Sequence, residues 1–265
     1  RFNDALARGR QAGYAAPAVG PDDIALLQYS GGTTGTARAA VLLHRNLVAN
    51  VLQAEAWHRP ALDRVPAREQ LQLVCALPLH HGFGFTANLM LGLHLGACNL
   101  LLPDAQDTAA MLRELARQRV HSFAAVDAVF NAVAAHADCG KVDWGHLVLA
   151  IGGGMPVQPA TARLWQRMTG CSIVEGYGLS EAGSAVSCMP VDGSGGGGTI
   201  GLPLPGTELT LLDDAGSEVD PGMAGEIAVR GPQVMAGYWQ RPDETAKVMT
   251  RDGFLRTGDI GTVDD

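Results

Sequence analysis

The chain has 265 residues, 34 of them glycine, with 47% hydrophobic and 17% charged residues and a net charge of −8. A chain of this length can bury roughly three-quarters of its unfolded surface, and its apolar share excludes a disordered polymer. The acidic balance argues against broad electrostatic capture of nucleic acid.

Residues 1–20 are small and polar and read as a mobile lead-in. Ile24 to Tyr29 is a short apolar strand running directly into Ser30-Gly31-Gly32-Thr33-Thr34-Gly35-Thr36. His44 to His58 reads as a helix with Leu47, Val48, Val51, Leu52 and Ala54 on one broad face. Strands are expected at Leu71–Leu77 and Asn99–Leu102, each stopped by proline. Asp107 can cap a helix carrying Met111, Leu112 and Leu115. Then come a strand (Val120–Val126), a helix (Val129–Ala137), a strand ending in Gly152-Gly153-Gly154, a helix (Pro159–Thr169) and a strand (Ser172–Glu175). Strands alternating with helices imply an α/β class with a mainly parallel sheet covered on both faces.

The texture changes after Met189. Asp192 to Thr199 is rich in glycine, and strands at Glu208–Leu212 and Glu226–Arg230 follow, separated by turn residues. A boundary near residue 193 therefore divides an α/β part, 1–192, from a β-rich part, 193–265. No apolar run reaches the length of a membrane span; Leu89 to Leu102 comes closest, interrupted by His94 and Asn99. Five cysteines without a C-x-x-C pair form neither a disulfide framework nor a zinc site, so reduced thiols in a cytoplasmic protein are expected. The first residue is Arg1 and the last three are Val263-Asp264-Asp265, which reads as a piece of a longer protein.

Five segments carry candidate chemistry. Hydroxyl residues between glycines, straight after a strand and with Arg38 close behind, make a loop whose N–H groups can wrap phosphate oxygens. It is not a Walker A loop, because no G-K-[ST] follows. Gly153 and Gly154 follow one strand and Glu175-Gly176-Tyr177-Gly178-Leu179-Ser180-Glu181 follows another, at the strand ends where open α/β sheets bind ligands. There the glycines admit a flat base, Tyr177 offers a face, Ser180 a donor and Glu181 an oxygen ligand for Mg²⁺. Asp259, in Thr257-Gly258-Asp259, can hold a ribose diol or simply close a turn. His80-His81-Gly82-Phe83-Gly84-Phe85 is read as a pocket lining, a gate or simply packed histidine rather than a metal site, since adjacent side chains on a strand point opposite ways.

In this order and spacing the five segments resemble the adenylate-forming enzymes, the superfamily of acyl-CoA synthetases, adenylation domains and luciferases. YSGGTTGTARAAVLLHRNL resembles their phosphate loop, EGYGLSE their adenine and Mg²⁺ motif, and GEIAVRGPQVMAGYWQRPDET with GFLRTGDIG their ribose-binding stretch. IGGGMPVQ and PLHHGFGFT look most like bacterial long-chain fatty-acid–CoA ligases. The resemblance implies the N-terminal core of that fold, with parallel sheet layers, helices and the start of a β-rich subdomain. It also implies an earlier N-terminal stretch and a mobile C-terminal domain outside this chain, without which the 265 residues should not turn over.

The implied reaction has two steps: a fatty carboxylate attacks the α-phosphate of Mg·ATP to give acyl-AMP, and the thiol of coenzyme A displaces AMP. By the same resemblance the phosphate loop is Ser30, Gly31, Gly32, Thr33, Thr34, Gly35, Thr36 and Arg38, and Thr33, Arg38, Ser180 and Glu181 are the catalytic residues. Adenine contacts fall on Gly153, Gly154, Glu175, Gly176, Tyr177 and Gly178. Ser180 falls at the α-phosphate, Glu181 at the metal, Asp259 at the ribose, and His81 and Phe83 beside the acyl pocket. A fatty-acid substrate would bring peripheral contact with the inner face of a membrane. Two other readings stand beside this one: adenylation of an aryl or amino acid, and a non-catalytic nucleotide-binding remnant. Where the family has Lys-Gly, this chain has Arg38-Ala39. If that position needs positive φ, Ala39 is strained and the double variant Arg38→Lys, Ala39→Gly should adenylate faster.

Overall fold

The structure is a computed structural model and describes residues 1–30, 38–192, 197–220 and 222–264. Gly31, Gly32, Thr33, Thr34, Gly35 and Thr36 lie outside the described residues, as does part of the glycine-rich stretch after Asp192.

Along the chain, helix α1 (Phe2–Gly9) precedes strands β1 (Ile24–Ser30) and β2 (Arg38–Leu43), helix α2 (His44–Leu62) and β3 (Gln72–Cys75). An irregular helical stretch follows, built from α3 (Gly82–Gly84), a π-helical turn (Phe85–Met90) and α4 (Leu91–His94). Then come β4 (Cys98–Leu101), α5 (Thr108–Leu115), β5 (Ser122–Ala125), α6 (Asp127–Ala135), β6 (Leu149–Gly152), α7 (Pro159–Thr169), β7 (Ile173–Gly178) and β8 (Ala185–Cys188). The remainder contains β9 (Leu202–Pro203), β10 (Glu208–Leu212), β11 (Gly225–Arg230), β12 (Gly237–Tyr238), α8 (Pro242–Val248) and β13 (Leu255–Gly261).

The large sheet has the order β4-β3-β5-β6-β7-β8-β9. Its first five strands are parallel and the last three are joined antiparallel. Side chains alternate between two cores, as the two-residue period of a strand requires. Phe123, Ala125, Ala150 and Ile173 face one cluster with Met111, Leu112 and Leu115 of α5, Phe130 of α6 and Trp165 of α7. Ala124, Leu149, Ile151 and Val174 face the other, with Ala61 and Leu62 of α2. This is the doubly covered parallel sheet expected from near-continuous apolar strands.

Local chemistry fixes several element ends. Asp107 accepts the Ala110 N–H at 2.8 Å and caps α5. Pro159 opens α7, and Gly170 closes it in the left-handed conformation at φ 74°.

Other elements depart from the sequence reading. Within the stretch read as a lead-in, residues 2–9 form a helix with no buried residue. Residues 38–43, read as the tail of the phosphate loop, form strand β2, which pairs with β1 and places Arg38 opposite Ser30. The strand expected to end at Glu175 continues to Gly178, because Gly176, Tyr177 and Gly178 pair with β8. Gly178 has to be glycine there: a Cβ would sit 1.8 Å from the Ser184 carbonyl oxygen. Thr257-Gly258-Asp259 lies within strand β13, not in a turn, beside a register shift against β11.

The apolar face of α2 is narrower than expected, with Val48 and Leu52 exposed. In their place Asn46, Asn50 and Gln53 are buried. Their amides donate to the carbonyls of Pro232 (2.7 Å), Ala185 (2.7 Å) and Pro205 (2.8 Å), three segments far away in sequence. Beyond residue 193 the strands divide among three sheets. β9 extends the large one, β12 joins β1 and β2, and β10, β11 and β13 form their own.

Candidate functional site

A cavity of about 330 Å³ opens at the carboxyl ends of β6 and β7. The position follows from topology, since a parallel sheet leaves its crevice at those ends. The volume falls within the usual range for a small-molecule site, about 300–1,000 Å³.

Of the residues singled out from sequence, Gly153, Gly154, Gly176, Tyr177, Gly178, Ser180, His81 and Phe83 all line this cavity. Gly153 packs against Phe83, whose Cε1 would lie 3.0 Å from any added Cβ. His81 caps α3, with Nδ1 accepting the Phe83 N–H at 3.3 Å. The far wall is apolar and comes from Ala54, Ala87, Ile151, Cys188 and Leu204, with His58 among them.

Glu175 is placed differently. Its carboxylate accepts the Val157 N–H at 2.9 Å and its carbonyl accepts the Met189 N–H at 2.8 Å. Asp127 takes the next N–H, from Gln158, at 2.8 Å. These two carboxylates pin the far end of the loop that carries Gly153 and Gly154, so Glu175 shapes that wall and does not line it.

Asp259 reaches the site through Tyr177, whose hydroxyl donates to Oδ2 at 2.5 Å. Burial, and then the Asp259 carboxylate, push the Tyr177 phenol well above its ordinary value. It therefore stays protonated and remains a donor. Asp259 is aimed by its own strand: Gly258 N–H donates to Glu226 Oε1 at 2.9 Å and Thr257 Oγ1 to the Ile227 carbonyl at 2.8 Å.

Glu181 and Arg38 meet at a second residue, Tyr238. The Tyr238 hydroxyl donates to Glu181 Oε1 at 2.9 Å, and the Arg38 guanidinium carbon lies 5.5 Å from the Tyr238 ring centroid. Arg38 also pairs with Glu244 of α8 at 3.0 Å. Ser180 and Glu181 share a short 3₁₀ turn closed by Gly183 in the left-handed conformation, φ 72°.

Ala39 needs no positive φ. Among the described residues the sole non-glycine with that geometry is Gln240. Ala39 sits buried in β2 opposite Tyr29, and its carbonyl accepts the Trp239 N–H at 2.8 Å. The strain argument for a faster Ala39→Gly variant therefore falls. Ala39→Gly alone is expected to lower stability by about 0.5–1 kcal/mol through backbone entropy, read as a lower thermal midpoint.

Sequence reasoning missed Tyr29, His58 and Tyr238. Tyr29 and His58 come from a strand and a helix read only for their apolar pattern. Tyr238 was inside a quoted motif, and its signal was a lone aromatic after glycine in an otherwise loop-like stretch.

One other cluster among the described residues gathers metal-ligand types: Glu69, His121 and His146. It lies near the amino-terminal ends of β3, β5 and β6, away from the cavity. His121 Nδ1 accepts the Gln72 N–H at 3.0 Å, so the neutral ring carries its proton on Nε2, which faces Glu69 at 3.6 Å. A metal needs a lone pair at that nitrogen, so this tautomer does not suit a metal site. No helix of the described residues is long and apolar enough to cross a membrane. All five cysteines are unpaired.

The strand ends of the parallel sheet thus gather glycine walls, a Tyr177–Asp259 pair and, joined through Tyr238, Glu181 and Arg38. The chain belongs to the AMP-binding enzyme family, whose model matches residues 3–239. It is 44% identical to the long-chain-fatty-acid–CoA ligase of Escherichia coli O157:H7, with all of this chain matching 46% of that protein. It is 33% identical to 4-coumarate–CoA ligase 2 of Oryza sativa subsp. japonica, over all of this chain and 47% of that protein. The chain thus spans about half the length of the curated relatives it matches. Among solved structures it resembles ATP-bound MatB from Rhodopseudomonas palustris, with a TM-score of 0.84 and 31% identity over 96% of this chain and 48% of that one. The N-terminal domain of FACL13 from Mycobacterium tuberculosis gives a TM-score of 0.86 at 26% identity, over 99% of this chain and 64% of that one.

Proposed function

We propose that the complete polypeptide carrying this chain activates a long-chain fatty acid in two steps, through acyl-AMP to acyl-CoA, using ATP, Mg²⁺ and coenzyme A. The observation that carries this reading is the convergence on one cavity of the glycine walls, Tyr177, Ser180, His81 and Phe83. The identity to long-chain-fatty-acid–CoA ligases, 44–45% for several relatives, supports the choice of acid.

In this reading the base lies against Gly153, Gly154, Gly176 and Tyr177, with Glu175 fixing the loop behind it. Asp259, oriented by Tyr177, receives the ribose diol. Ser180 donates to the α-phosphate. The segment Ser30–Thr36, including Thr33, and Arg38 take the outer phosphates. Glu181 offers the hard oxygen donor that Mg²⁺ prefers, and the ion supplies neutralisation of phosphate charge. Attack on the α-phosphate needs positioning and charge compensation more than covalent help, and these residue types provide both. The acyl chain enters past His81 and Phe83 toward the apolar wall. A protein handling such an acid in the cytoplasm would meet it at the inner face of a membrane, where it partitions.

The test is pyrophosphate release by the complete polypeptide with Mg·ATP and a panel of acids. Release with palmitate, followed by acyl-CoA on addition of coenzyme A, is the expected result. Release only with 4-coumarate or with an amino acid would move the function to another carboxylate. ATP binding with no release on any acid would leave a nucleotide-binding protein without the chemistry.

A further inference from the structure

Tyr238 touches both charged groups of the nucleotide site. Its hydroxyl donates to Glu181 Oε1 at 2.9 Å, and its ring lies beneath the Arg38 guanidinium at 5.5 Å. Two independent anchors hold it in place. It pairs opposite Ala40 of β2, and its N–H donates to Thr245 Oγ1 of α8 at 2.9 Å. The same segment also grips the backbone of Glu181, because the Met235 N–H donates to the Glu181 carbonyl at 2.7 Å. Glu181 is thus held at main chain and side chain by residues 235–238, more than fifty positions further along. Tyr238 is 9% exposed.

We propose that Tyr238 is a positioning residue for Glu181, fixing the carboxylate through Oε1 so that its oxygens are aimed at the divalent cation accompanying the triphosphate. This rests on the nucleotide-site reading above. A glutamate left to itself samples several rotamers, and ordering it costs entropy at the moment the cation binds. Mg²⁺ demands near-ideal octahedral geometry, so a misaimed carboxylate loses affinity. A phenol–carboxylate hydrogen bond is charge-assisted and sets the aim beforehand. The arginine above the same ring places the cationic phosphate ligand and the carboxylate metal ligand on one rigid support.

Calorimetry on the complete polypeptide, without an acid substrate, tests this by titrating ATP with Mg²⁺ and again in EDTA. The gain in ATP affinity on adding Mg²⁺ is the quantity compared. Tyr238→Phe, which keeps the ring, should lose about tenfold of that gain, in the range for groups that orient metal ligands. Its affinity for metal-free ATP should change by less than about twofold. Glu181→Gln should remove the gain, and the double variant should bind no more weakly than Glu181→Gln, since the two act as one unit. Three results would overturn the proposal: an undiminished gain in Tyr238→Phe, equal weakening with and without metal (a packing role only), or additive losses in the double variant. Wild-type protein that binds ATP equally with and without Mg²⁺ also overturns it while leaving the nucleotide site standing. Wild-type protein that binds no ATP in either condition defeats the nucleotide reading itself and this proposal with it.

Discussion

Truncating Trp165 to alanine is expected to lower unfolding free energy by about 3–5 kcal/mol, the usual cost of removing a fully buried large aromatic. Trp165 is 0% exposed and touches three other rings. Its centroid lies 4.7 Å from Phe130, 5.2 Å from Phe123 and 5.3 Å from Trp144, in tilted and edge-to-face arrangements. These rings come from α7, α6, β5 and the turn before β6, so one side chain joins four parts of the covered sheet face. Such pairs add about 0.5–1.5 kcal/mol beyond burial alone. In a chain of this size the loss corresponds to a fall in thermal midpoint of about 10 °C. Trp165→Phe makes a sharper comparison. The indole N–H is buried without a partner, and a phenyl ring removes that group while keeping much of the contact. Its cost should be clearly smaller. Equal losses for Ala and Phe would show that the ring contacts are not what holds this face together.

The second large effect is a pH dependence centred on His58. Burial in the apolar wall of the cavity lowers its pKa from 6.5 to about 4. It is 5% exposed, and its Nδ1 is buried without a hydrogen-bond partner. The unfolded chain therefore binds this proton more readily than the folded one. Stability from His58 is fully present above pH 6.5, falls as pH drops toward 4, and has gone below that. Two and a half pH units correspond to roughly 3 kcal/mol. Urea unfolding at pH 7.5 and pH 4.5 measures the slope, and His58→Leu should flatten it markedly. His121, also lowered by burial, contributes in the same direction and is unaffected by that substitution. The paired carboxylates Glu69, Asp138, Glu208, Glu244 and Asp252, all held below their ordinary values, lose their contribution at lower pH. An unchanged slope in His58→Leu would mean that the imidazole is charged in the folded protein.

What the sequence made legible was whatever is decided locally. Helix α5 was placed from the Asp107 cap, and α7 was expected over Pro159–Thr169, where Pro159 opens it and Gly170 closes it. The glycine walls were legible because each follows an apolar strand. Strand β2 was not, because the loop motif drew the reading past Arg38 into residues whose pairing with β1 is a tertiary matter. The extension of β7 through Gly176 and Gly178 was hidden by the low strand preference of glycine. What overrides that preference is the close approach of β8, seen at Ser184. Glu175 was assigned to the ligand because it stands in the motif. Only the loop folding back at Val157 shows where its carboxylate goes. Tyr238 belongs to the same class: its partners, Glu181 and Arg38, are 57 and 200 positions away.

The amides buried on α2 also set a timetable. Asn50 and Gln53 find acceptors at Ala185 and Pro205, and Asn46 finds its acceptor at Pro232. During synthesis the helix leaves the ribosome while none of those carbonyls exists. At about 5–20 residues per second, Pro232 follows Asn46 by roughly ten to forty seconds. Until Ala185 and Pro205 are made, the amides of Asn50 and Gln53 can be satisfied only by water or by each other, and Asn46 waits longest, for Pro232. The surroundings of Glu181 and Arg38 are therefore completed late, when the segment bearing Tyr238 arrives, although the glycines lining the cavity were made early.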